Sequence, residues 1–204
     1  MLVMRFGTDA RSNMAALLLA ALIPGPALAV PPPREQLTAD CLHPQYASDQ
    51  LVCDTPELLE LDRSMRALLE TTSIPTTSRW IEPQEQWLRR RSMCAMQREH
   101  ASCVRAAYND RIALLQASRM PPAPDRTTLA GDDAQVTSMA PGDAAHVFYD
   151  AAGQITAYAR SGLPLAPGWQ NFAQFSRHGN IIKLTVPDGL VLACWVASAH
   201  KDLK

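Results

Sequence analysis

LVCDTPELLELDRSMRALLE, residues 51–70, sets a cysteine directly against the start signal of a helix. Asp54 or Thr55 can cap it, Pro56 suits a first turn, and Glu57 stands three residues after Asp54, as a capping box requires. Leu58, Leu61, Met65, Leu68 and Leu69 then recur at offsets of 0, 3, 7, 10 and 11, one apolar stripe along a helix of period 3.6. Nothing in the stretch has the spacing of a catalytic pair, so Cys53 reads as a staple rather than a reagent.

Four cysteines, Cys41, Cys53, Cys94 and Cys103, lie within one 63-residue block, separated by gaps of 11, 40 and 8 residues. No CxxC pair is present, which favours disulfides over zinc and predicts no bound metal or cofactor. Three pairings are open. The compartment agrees: residues 1–29 read as a signal peptide, with Arg5 and Arg11 ahead of an apolar run and an Ala27-Leu28-Ala29 ending. Residues 30–39 form a Pro-rich extended lead. A periplasmic or secreted location follows, where disulfides persist. Beyond residue 29 the chain holds 17 basic and 19 acidic residues, which steers it toward no nucleic acid.

Around the first helix, two more complete a block over residues 40–119. One begins near Pro83, with Trp87, Leu88 and Arg91 along one side; the other carries Val104, Tyr108, Ile112 and Leu115 at core spacing. The predicted core is Leu58, Leu61, Met65, Trp87, Leu88, Tyr108 and Ile112. Residues 120–142 read as a Pro- and Asp-rich linker. Residues 143–204 hold two hairpins, one turning at Ala151 to Gly153 and one at Pro187-Asp188-Gly189, with Trp169 and Phe172 expected over one face of their sheet. The fold class expected is α+β: a disulfide-stapled bundle of about three short helices followed by a small antiparallel β module.

Five histidines form no HExxH, and GxSxG, P-loop and GxGxxG motifs are missing, so the familiar hydrolase and nucleotide chemistries have no support. Cys194, the odd thiol, sits in the apolar run LVLACWVA and reads as a buried hydrophobe. Charge is divided: residues 40–70 hold seven acids against Arg63 and Arg66, whereas residues 79–119 hold eight arginines against four acids. Glu57, Glu60 and Asp62 are the acidic residues expected to face a partner.

The helical block resembles the LprI-type lysozyme-inhibitor N-terminal domain family of exported bacterial proteins, over about residues 40–115. The resemblance rests on the four cysteines, the PELLELD opening at Pro56 to Asp62, Gln84-x-x-Trp87-Leu88, Arg91 before the third cysteine, and Tyr108 with Arg111-Ile112 after the fourth. It implies a stapled helical domain and a non-enzymatic role: binding a protein partner, with lysozyme or a similar cell-wall hydrolase as the candidate. The alternative is a structural or envelope-associated interaction protein whose C-terminal β module does the binding.

Overall fold

A computed structural model describes residues 36–72, 78–140, 142, 145–162 and 164–197. Residues 1–29, read as a signal peptide, and most of the Pro-rich lead lie outside the described residues. Four helices form the first part: α1 (Ala47–Asp54), α2 (Pro56–Thr71), α3 (Gln84–Ser92), continued by a 3-10 turn over Met93–Met96, and α4 (His100–Arg119). α2 packs along α4. Leu58, Met65, Trp87, Leu88 and Tyr108 fill the core between them, with Leu61 and Ile112 partly buried at its margin. Trp87 meets Tyr108 edge to face at 5.4 Å.

Two features depart from expectation here. α1 is an additional helix, and α2 begins at Pro56 with Thr55 as its N-cap but without a side-chain capping bond. The expected capping box is not formed. Cys41 pairs with Cys53 and Cys94 with Cys103, each with Cα atoms 5.6 Å apart. Both bridges are local, closing sequence separations of 12 and 9 residues. Loops of that length are worth about 3 kcal/mol each in the chain-entropy treatment, which suits helices too short to stand alone.

The second part corrects the expected small antiparallel module. Seven strands, β1 (Thr127–Gly131), β2 (Ser138–Ala140), β3 (Ala145–Tyr149), β4 (Ile155–Arg160), β5 (Ala173–His178), β6 (Ile181–Thr185) and β7 (Val191–Val196), close into a barrel in chain order. Six pairings are antiparallel, including β1 with β7, which closes the ring; β4 with β5 is parallel. Both expected hairpins exist as β3–β4 and β6–β7, but β1 and β2 lie in the stretch read as linker. Closure pairs edges that two separate hairpins would leave open. Inside stand Leu129, Met139, Phe148, Ala157, Ile182, Leu184, Leu192 and Cys194.

The β4–β5 seam explains how the two parts join. A parallel pair needs a crossover of a dozen residues or so, and residues 161–172 supply it. β5 pairs only with Ala159 and Arg160, which leaves the earlier half of β4 without a neighbour on that side. The strap between α2 and α3 occupies that edge: Trp80 bridges Ala157 in parallel, and Ser78 Oγ donates to the carbonyl of Thr156. The Trp80 ring enters the barrel core. In return the crossover sends Ala166 and Trp169 into the helical core, so Trp169 does not lie over the sheet as expected. Phe172 does pack against the barrel core.

Candidate functional site

Most of the residues that the sequence marks out converge inside the helical part. Arg91 on α3 donates to Asp49 on α1 and, at 2.7 Å, to the Tyr108 hydroxyl on α4. Tyr108 donates to Asp62 Oδ1 on α2 at 2.8 Å, and the same oxygen accepts the Ala39 N–H at 3.0 Å. Gln36 closes one end on Asp49 Oδ2 at 3.0 Å, and Arg66 the other on Asp62 Oδ2 at 3.4 Å. Asp49, Asp62, Arg91 and Tyr108 are all buried. Two carboxylates against two guanidiniums leave no net charge, the condition under which buried ions are tolerable. Burial also raises the Tyr108 pKa, so its hydroxyl stays a donor.

Asp62 therefore does not stand where a partner-facing residue was expected. Asp62 faces inward and cannot meet a partner, whereas Glu57 and Glu60 are exposed on α2, with Glu60 3.6 Å from Arg63. The Tyr108, Arg91 and Asp62 of the resemblance hold helices together.

A serine and a histidine that the sequence reading passed over also meet. Ser48 Oγ lies 2.8 Å from His100 Nε2, and burial, with Arg91 nearby, lowers the His100 pKa. A neutral imidazole beside a serine hydroxyl is the start of a nucleophilic dyad. Ser48 is completely buried, however, and its hydroxyl also reaches the Ser92 carbonyl at 3.2 Å. No substrate carbonyl can approach it, and the pair ties α1 to α3 and α4.

Cys194 is the unpaired cysteine, and it is fully buried. Burial first, then Asp132 and Asp133, push its thiol up to about 11, which removes the thiolate needed for reaction. Opposite it, Gly131 has no room for a side chain: a Cβ there would stand 2.6 Å from the Ala193 carbonyl oxygen.

Between the two parts lies a polar junction. Glu82 holds Arg90 through two bonds of 2.7 Å, and the Arg90 guanidinium stacks 3.8 Å over Trp169. Arg111 donates to Gln84 and to the Glu82 carbonyl, each at 2.7 Å; burial lowers its pKa to about 10. A cavity of about 20 Å³ is lined by Asp110, Arg111 and Asn171 among others, and Asp110 Oδ1, Arg111 Nη2 and Asn171 Oδ1 have no protein partner. One donor and two acceptors around such a volume match the bonding capacity of a single water.

Among the described residues no group of three or more His, Cys, Asp or Glu could hold a metal, and no helix is long and apolar enough to cross a membrane. The two disulfides are compatible with an extracellular or periplasmic location. Compared with protein families, with curated proteins and with solved structures, the chain shows no match.

Proposed function

We propose that the chain is an exported, non-catalytic protein-binding protein whose helical part engages lysozyme or a similar cell-wall hydrolase. The observation that supports this reading is that Asp49, Asp62, Arg91, Tyr108, Ser48 and Cys194 are all buried, where they tie helices together or fill the barrel. What remains outside is a binding surface. Glu57 and Glu60 project from α2, the two disulfide loops expose Leu42 and Met96, and Met93 is exposed just before the second loop. Exposed carboxylates together with adaptable exposed apolar side chains suit a basic protein partner, the carboxylates steering approach and the methionines conforming to its surface.

The test is titration of the disulfide-intact chain into lysozyme assays. Inhibition that weakens in Glu57→Lys/Glu60→Lys supports the reading; no inhibition at micromolar excess across several lysozyme types overturns it. A second reading, an envelope-associated interaction protein that binds through its barrel side, is favoured by two clefts that flank Arg79 on the strap.

A further inference from the structure

The strap that carries Trp80 into the barrel leaves its neighbour Arg79 exposed, and a cleft opens on either side of that residue. The larger, of 480 Å³, lies between the strap, the β1–β2 turn and the start of β7, with Asp132, Asp133 and Val191 in its lining. The smaller, of 270 Å³, lies between the start of α3 and the β6–β7 turn; Ile81, Pro83, Phe172 and Leu190 line it, with Asp188 and Arg79 among its polar groups. Ligand pockets span about 300–1,000 Å³, so the pair offers room for several residues of an extended chain.

We propose that these clefts form one groove for an extended, basic peptide segment of a partner protein, with an apolar side chain of that segment seated among Ile81, Phe172 and Leu190. The proposal rests on the second reading above, that the barrel side binds.

Charge selects the occupant. Three carboxylates against one guanidinium leave the groove with an excess of two negative charges, which disfavours anions, acidic peptides and anionic lipid surfaces. Two of the carboxylates are already held in place: Asp133 accepts from Trp80 Nε1 at 3.0 Å and from the Gln135 N–H at 2.9 Å, and Asp188 from the Leu190 N–H at 2.9 Å. Little side-chain freedom remains to be lost on binding. As acceptors they call for ammonium or guanidinium donors. Arg79 lines both clefts and enters no ion pair among the described residues, which leaves its guanidinium able to donate to a segment crossing between them. Backbone carbonyls of an extended segment meet that need without adding charge. Val191, 51 % exposed, provides an apolar step alongside.

The experiment is an NMR titration of the disulfide-intact chain with an acetylated, amidated Lys-Lys-Leu-Lys-Lys peptide and with its Glu-Glu-Leu-Glu-Glu counterpart. Saturable shifts of the Trp80 indole N–H and of the Gln135 and Val191 amides are expected with the lysine peptide alone. Asp132→Asn and Asp188→Asn should each weaken it by about two- to fivefold, as exposed charge pairs do. The proposal is overturned by absence of saturable shifts, by equal binding of the glutamate peptide, or by unchanged affinity in the double variant. Lysozyme inhibition by the parent chain, with no saturable binding of the lysine peptide to that same chain, removes the groove and leaves the α2 reading standing. Saturable peptide binding without lysozyme inhibition does the reverse.

Discussion

Replacing Trp80 by alanine tests whether the strap is structurally part of the barrel. Its ring is 4 % exposed and packs with the residues that fill the barrel. Burying a tryptophan removes roughly 150–250 Å² from water, and truncating a buried aromatic to alanine costs about 3–5 kcal/mol. The lost bond to Asp133 adds little, because Asp133 is only half-buried and water can replace the indole. Taking about 4 kcal/mol, and a urea slope of about 2 kcal/mol/M for a chain of this size, the unfolding midpoint falls by about 2 M. Far-UV circular dichroism of the disulfide-intact chain measures it without relying on the removed fluorophore. Trp80→Phe keeps an apolar ring in the seam and should lose less than half as much. A Trp80→Ala midpoint within about 0.5 M of the parent, at unchanged slope, would refute the reasoning, since the seam would then close without the strap.

The remaining expectations concern the helical part and the free thiol. Arg91→Met leaves Asp49 buried without its counter-ion and should cost about 3–5 kcal/mol in the same urea titration, with Arg91→Lys failing to restore the fork to Tyr108 and Asp49. Cys194 should resist an alkylating reagent at pH 8 in the folded chain and take up one label after unfolding in urea, read by mass; rapid labelling of folded protein would contradict its burial. The folded-state pKa values of His100 and His146 are lowered from 6.5 by burial first, then by Arg91 and Arg177 respectively, so the unfolded chain binds protons more readily. Stability is therefore full above about pH 6.5 and declines as pH falls through the folded values; thermal melts of His100→Gln should show a smaller decline.

How much of this was legible depends on whether a residue's surroundings are local. α2, α3 and α4 could be read because their apolar stripes repeat every turn, and the β3–β4 and β6–β7 hairpins because their turns carry Gly153 and Gly189 at positive φ. α1 could not, because its inward residues include Ser48 and Asp49, which give a short helix no apolar stripe. Asp62 was misread through its charge alone, although it stands four residues after Leu58 and three before Met65, on the stripe itself. β1, β2 and β5 are short or largely polar, and although β5 also forms a local hairpin with β6, the β1–β7 and β4–β5 pairings that complete the ring join segments with no local signal. A parallel seam, a closing β1–β7 pair and a strap from between two helices leave no periodic mark in the chain.

The exchange of tryptophans also changes how any binding activity should be located. Separating the chain near Ala123 would not reveal which half binds. Trp80 lies on one side of that cut and its core on the other, while Trp169 lies in the reverse relation. Each fragment would lose a large buried ring and expose the cavity it filled, so loss of binding by a fragment would report unfolding rather than a missing surface. Both clefts beside Arg79 are bounded by strap and barrel together, so a cut destroys them as well. Point changes at exposed carboxylates avoid this: Glu57 and Glu60 on α2, against Asp132 and Asp188 beside the strap, remove charge from one surface at a time while leaving the cores intact. Comparing those pairs within the whole chain is therefore the measurement that can assign binding to a surface.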